Sequence, residues 1–180
     1  MNRAACSPPR KVAGSGWRKV AAVVAFGLGL GAIAGSAELP AQAAERPVVK
    51  LAFIGPMSGG NSRMGFGGRN SAQLALMQAN ANDSLRYRYE LVVLDDECQP
   101  QSGVQAALKA GSDRAIVGAI AHYCSVVALS TVQTFHRLGL PAIVWGAVHP
   151  DITYGNDYKE VFRVNGTQIQ QNQVAAQFTT

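Results

Sequence analysis

Charge is scarce in this sequence and badly distributed. Only 15% of its 180 residues are Asp, Glu, Lys or Arg, and the formal net charge of +5 comes almost entirely from one end. Met1 to Ala43 holds five bases (Arg3, Arg10, Lys11, Arg18, Lys19) against one acid, Glu38, whereas Ala44 to Thr180 carries eleven bases against ten acids. The body of the chain is therefore nearly neutral and contains no basic run of five or more, so it offers no electrostatic footprint for nucleic acid. Also absent is the lysine that would make a P-loop of "GNSRMG" (Gly60–Gly65): Phe66 and Gly67 follow where Lys and Ser or Thr are required, so no charge meets the phosphates. No G-x-S-x-G elbow surrounds any serine, which removes the commonest setting for a serine nucleophile in an α/β chain.

A hydrophobic stretch of full membrane-spanning length is missing as well. The apolar run Val20 to Gly35 would reach only about 22 Å as a helix over Val20 to Ala34, short of the roughly 30 Å hydrocarbon core. What is present is a basic n-region, that apolar h-region and the small-residue stretch "AQAA" at Ala41 to Ala44. This is the order of a secretory signal peptide, with cleavage expected after Ala43 or Ala44 and an uncleaved anchor as the alternative. The dinucleotide-like "GLGLGA" (Gly27–Ala32) lies inside this run with no strand before it and carries no cofactor reading. Cys6 precedes the apolar run rather than following it, so it does not stand where a lipoprotein cysteine must.

Cysteine is rare too. With Cys6 removed in the leader, Cys98 and Cys124 remain. An even pair in an exported chain reads as one disulfide; two free buried thiols are the alternative.

From Val48 onward the pattern is one of alternating elements. "VVKLAFI" (Val48–Ile54) is a β-branched apolar run stopped by Gly55 and Pro56, as expected of a strand buried on both faces. The glycine-rich "GGNSRMGFGG" reads as a loop, and Arg69 to Ala79 as a helix. "YELVVLD" (Tyr89–Asp95) is a second strand and Gln101 to Gly111 a second helix, its last glycine of the kind that caps a helix. "RAIVGAI", "LPAIVWG" and "VFRVNG" supply three more strands, Ser125 to Leu138 a helix stopped at Gly139, and "QIQQNQVAAQF" the start of another. Strands alternating with helices predict an α/β fold, a parallel sheet with helices on both faces.

In such sheets ligands bind beyond the carboxyl ends of the strands, and the chemically interesting residues fall there: Ser58 to Gly68, Asp95 to Cys98, His122 to Ser125 and Gly146 to Asp151. "LDDEC" packs three carboxylates and a thiol into a strand end, but a disulfide removes the thiolate and adjacent acids do not easily face one ion. One carboxylate accepting loop N–H bonds, the others solvated, is the expectation, and no metal or cofactor is expected. His122 reads as a loop residue and His136 as a helix-surface residue. Ser125 with His149 and Asp151 is the only hydrolase-like set, and it lacks the elbow. Ser125 has two readings of equal standing: a plain helix N-cap, or an anion-binding rim using the free N–H groups of a helix start. Asn82 and Asn165 fall in N-x-S/T patterns that matter only in a glycosylating pathway. Trp145 reads as a buried strand residue or as a wall of the site.

Taken in order, "VKLAFIGPMSGG", "VVLDDECQPQSGVQAALK", "YCS" and "LPAIVWGAVHPDIT" resemble the first lobe of type 1 periplasmic binding proteins of the leucine/isoleucine/valine class. The resemblance runs from about Val48 to the C-terminus. It implies a non-enzymatic receptor that captures a small solute (an amino acid, amide, urea or organic acid) and delivers it to the membrane permease of an ABC transporter, as a monomer in the periplasm. It pairs Cys98 with Cys124. It also implies that Ser125 meets a ligand carboxylate, that the Gly146 carbonyl accepts from a ligand ammonium, that Val148 stands where the class has a threonine contacting both, and that Met64 stands where an aromatic residue lines the side-chain pocket. Valine retains an N–H but no hydroxyl, so a standard α-amino acid is not the obvious ligand. Residues 1–43 are thus expected to be a signal peptide and 44–180 an N-terminal lobe that stops before the second. A sensing or regulatory domain of the same fold is the alternative, and a secreted serine hydrolase centred on Ser125 a more distant one.

Overall fold

The computed structural model describes residues 45–155 and 157–179. The expected leader lies outside the described residues. Within them, β1 (Val48–Gly55), α1 (Ser62–Asn80), β2 (Arg88–Asp95), α2 (Pro100–Ser112), β3 (Ile116–Ala121), α3 (Ser125–Leu138), β4 (Ala142–Val144), a short 3-10 turn (Pro150–Ile152), β5 (Val161–Arg163) and α4 (Gln168–Thr179) follow in turn. No helix among the described residues is long and apolar enough to cross a membrane.

The five strands form one parallel sheet in the order β2-β1-β3-β4-β5, which is the predicted α/β architecture. The chain steps from β1 outward to β2, then crosses back over β1 to β3 and continues to β4 and β5. Right-handed crossovers therefore put α1 on one face and α2 and α3 on the other. The main core lies under α2 and α3: Ala52, Ile54, Leu94, Ala119, Ala121 and Val144 from the sheet meet Ala106, Ala107, Ala110, Ala128, Val132 and Phe135 from the helices. Small residues let the two helices approach closely, and a Cβ at Gly103 would overlap Val127.

Three sequence expectations change. The glycine-rich stretch is not a loop to its end, because α1 begins at Ser62, well before Arg69. Its glycines are packing residues: a Cβ on Gly65 would overlap the Pro56 carbonyl, and one on Gly68 would lie 2.8 Å from the Trp145 ring. The intrinsic cost of glycine in a helix, about 1 kcal/mol, is offset by an approach that no other residue permits. Gly111 does not cap α2, which runs on to Ser112 with extended Asp113 at its end; it makes room instead for Leu138 of α3. Gly139, by contrast, caps α3 as expected, with φ +60. Finally, β4 is only three residues long, so Trp145 and Gly146 belong to the loop beyond the strand.

Candidate functional site

A parallel sheet opens a crevice where the chain direction of its crossovers reverses, and in this order that point is the carboxyl ends of β1 and β3. The loops after β1, β2, β3 and β4 converge there, and their hydrogen bonds show how they are held.

Asp95 ends β2 and accepts from Met57 N of the post-β1 loop and from Glu97 N, both at 2.8 Å. Burial alone would raise its pKa, but hydrogen bonds from the Ser58 side chain and from the Glu97, Met57 and Ser58 N–H groups outweigh it and hold the carboxyl below its ordinary value. Asp96 departs from expectation. Rather than solvated, it is fully buried, accepting from Cys98 N at 2.9 Å and pairing with His122 Nδ1 at 2.8 Å. His122 lies in the loop between β3 and α3, as expected, and is buried with Asp96, 1% exposed. Nδ1 and the Asp96 carboxyl share that hydrogen bond, and Nε2 is buried with no partner among the described residues. Only Glu97 of the three acids is exposed. Glu97 and Cys98 both take left-handed backbone angles, φ 51 and φ 57, a conformation unfavourable for residues with a side chain and held here by those carboxylate bonds. Cys98 and Cys124 are joined in the expected disulfide, with Cα atoms 5.6 Å apart. The turn after β2 is thereby tied to the residue preceding α3.

Cys124, not Ser125, occupies the cap position of α3, and no side chain caps the helix. Ser125 is the first helical residue. Its Oγ accepts from Val148 N at 3.2 Å and His149 N at 3.3 Å, so the plain N-cap reading is replaced by a bridge to the post-β4 loop. Val127 N and Ala128 N bond back to the Cys124 carbonyl, while Ser125 N and Val126 N stand at the helix start, where intrahelical acceptors are missing and the helix dipole is positive.

The loop Trp145–His149 forms the facing rim. Gly146 N and Ala147 N both donate to the His122 carbonyl at 3.2 Å. Gly146 sits against Tyr123, where a Cβ would be 2.7 Å from Cδ2. The Ala147 carbonyl accepts from Asn165 Nδ2 at 3.0 Å and Arg163 Nη1 at 3.4 Å, the His149 carbonyl from Arg163 Nη2 at 2.8 Å, and the Val148 carbonyl from Gln168 N at 2.9 Å. The Gly146 carbonyl alone among these four carbonyls has no protein donor among the described residues.

Ser125, Gly146 and Val148 are therefore brought together. Met64 stands apart, on the first turn of α1 and 47% exposed. It lines an apolar cavity of about 490 Å³ with Phe53, Gly68, Ala72, Ile120 and Trp145. The Trp145 ring lies between Phe53 and Tyr123, 5.5 Å from each, with its indole N–H toward the Ile54 carbonyl at 3.4 Å. It is both packed and rim-forming, so its two sequence readings merge.

The hydrolase set does not assemble. The His149 imidazole accepts from Asp151 N at 3.3 Å, and only the backbone N–H of His149 meets Ser125. Among the described residues no cluster fit for a metal ion occurs. Sequence reading missed the Asp96–His122 pair and the role of Arg163. The second had a visible signal, a lone base inside the apolar strand "VFRV" at a carboxyl end.

Comparison with known proteins agrees with this geometry. Residues 48–180 match the family model described as periplasmic binding protein. A leucine-, isoleucine-, valine-, threonine- and alanine-binding protein of Pseudomonas aeruginosa is 31% identical over 131 residues, covering 72% of this chain and 35% of the relative. The chain thus spans about a third of the length of the curated relatives it matches. Among solved structures, a leucine-binding protein from Thermotoga maritima superposes with TM-score 0.65 at 27% identity, covering 72% of this chain and 36% of that one. A solute-binding protein of an ABC transporter from Rhodopseudomonas palustris, solved with 3,4-dihydroxybenzoic acid, shares the fold at TM-score 0.59 and 21% identity, covering 67% of this chain and 32% of that one. These relatives are solute-binding proteins, not enzymes. With its 2-1-3-4-5 parallel sheet and its loops gathered at the β1/β3 switch point, the chain belongs to the periplasmic binding protein family.

Proposed function

We propose that this chain forms the first lobe of an exported receptor of an ABC transporter, which captures a small carboxylate-bearing solute and presents it to a membrane permease. The observation that carries the reading is the Ser125 bridge. Its hydroxyl is held at the positive start of α3 by two rim amides, so a carboxylate placed there meets the hydroxyl proton and the Ser125 and Val126 N–H groups. The free Gly146 carbonyl is available to an ammonium or amide donor on the same ligand. The Val148 side chain has no hydroxyl to accept from such a donor, and its N–H, already given to Ser125, is not left for the carboxylate. Organic acids and amides therefore belong beside amino acids as candidate ligands, and the aromatic acid bound by the Rhodopseudomonas relative extends the class to hydroxybenzoates. Trp145 and Met64 would flank the apolar end.

A second lobe, for which relatives about twice as long have room, is proposed to close the opposite wall by hinge motion. Met1 to Ala43 is proposed to direct export and to be cleaved, leaving a periplasmic monomer. Titration calorimetry of the protein from its complete reading frame against amino acids, amides, urea, short organic acids and hydroxybenzoates tests the reading. Binding of at least one carboxylate, weakened by more than about 1 kcal/mol in Ser125→Ala, is expected. No binding across the panel would overturn it.

A further inference from the structure

Arg163 is the last residue of β5, paired across the ladder with Val144 at the edge where the candidate site opens. It is half-buried, and burial pulls its pKa below the ordinary value, yet a guanidinium in a protein keeps its charge. No carboxylate among the described residues forms an ion pair with it. Its donors go instead to Thr153 Oγ1 at 2.9 Å, the Ala147 carbonyl at 3.4 Å and the His149 carbonyl at 2.8 Å. A partly desolvated cation met by a hydroxyl and two carbonyl dipoles rather than by a carboxylate is costly.

The Ala147–Val148 peptide is gripped from both sides. Its carbonyl faces Arg163 and Asn165, and its N–H faces Ser125 Oγ. Because the C=O and N–H of a trans peptide point in opposite directions, Arg163 and Ser125 stand on opposite sides of the rim. The order is guanidinium, carbonyl, N–H, hydroxyl, with each dipole polarising the next in the same sense. A hydroxyl has two acceptor lone pairs and one proton. Val148 N and His149 N take both acceptor positions, so Ser125 has only its proton left to offer a ligand.

We propose that Arg163 is the positioning residue of the ligand rim: it clamps the Ala147–His149 backbone so that Ser125 becomes an obligate donor, committing the site to the anionic end of its ligand. This rests on the receptor reading above. It adds that the preference for an anion originates on β5, through a residue that the ligand does not touch.

The test uses the protein from its complete reading frame, with leucine and 4-hydroxybenzoate as carboxylate probes and leucinamide and 4-hydroxybenzamide as counterparts in which a neutral amide replaces the carboxylate. In Arg163→Gln, affinity for the carboxylate that binds falls by about tenfold or more, while that for its amide changes less than about threefold. Arg163→Lys, which keeps the charge but not the three-way grip, recovers part of the carboxylate preference. Amide hydrogen exchange of the ligand-free protein supplies an independent arm: Val148 and His149 exchange at least about tenfold faster in Arg163→Gln, with β1 and α3 amides unchanged. An equal loss for both members of a probe pair, or unchanged exchange at Val148 and His149, would overturn the proposal. If the unaltered protein binds none of the four probes, the receptor reading fails for this class and the recognition half of the proposal with it, while the exchange arm still decides the clamp.

Discussion

Asp96 illustrates how much one side chain holds together here. It is fully buried and joined both to Cys98 N and to His122, whose carbonyl in turn fixes Gly146 and Ala147. Asp96→Ala strands His122 Nδ1 and the Cys98 N–H in the interior, and should cost about 2–4 kcal/mol of unfolding free energy in urea. A loss below about 1 kcal/mol would show that water replaces the carboxylate. Asp95 acts through charge. Its folded pKa lies below its unfolded one, so its contribution is complete above about pH 4 and disappears as pH falls through the folded value. The stability gap between the parent chain and Asp95→Asn should therefore be widest at neutral pH and narrow steadily below about pH 4, as followed by denaturation across a pH series. A gap independent of pH would assign the role to shape rather than ionisation. "DDEC" announced a carboxylate-rich turn; that its second acid is buried against a histidine 26 positions away was not legible, because the pairing depends on how β2 and β3 flank β1.

At the level of elements, α3 and the turn after β2 are coupled by the Cys98–Cys124 disulfide, with a sequence separation of 26. Closing a loop of that length stabilises by roughly 3.5 kcal/mol in the chain-entropy model. Replacing both cysteines by serine should lower unfolding stability by up to that amount, and should speed amide exchange at Glu97 and Cys98, whose left-handed angles lose a covalent restraint. Unchanged urea midpoints would overturn this. Helix α3 was readable to the residue, since Gly139 ends it and the apolar spacing within it is regular. Helix α1 was not. Glycines in "GGNSRMGFGG" carry the signal of a loop, and only the approach of Pro56 and Trp145 turns them into packing positions. Local propensity and tertiary contact disagree there, and contact wins.

Among the described residues the sheet is covered unevenly. Two helices pack on one face, while on the other α1 packs mainly on β1 and β2. A cross-strand row of Phe53, Ile120, Ile143 and Phe162 runs over that second face, with Ile143 and Phe162 41% and 53% exposed. Contiguous exposed apolar surface of this kind binds hydrophobic dyes. The 180-residue chain should enhance anilinonaphthalene sulfonate fluorescence under native conditions, and Ile143→Thr with Phe162→Thr should reduce the enhancement by about half. An undiminished signal would place the dye elsewhere.

By itself the sequence determined the class of fold, the order of its elements and the cysteine pair, and it pointed to the neighbourhood of the candidate site, because period, punctuation and strand-end chemistry are local. It also marked Ser125, Gly146 and Val148 through family resemblance. Tertiary structure alone decided what each group does: that Ser125 bridges rather than caps, that the Val148 N–H is already used, that Asp96 and His122 share a buried bond, and that Arg163 grips the rim from behind. These are pairings between loops that meet only once a parallel sheet brings its carboxyl ends together, and the hydrogen-bonding capacity of each group is spent by neighbours far away in the chain.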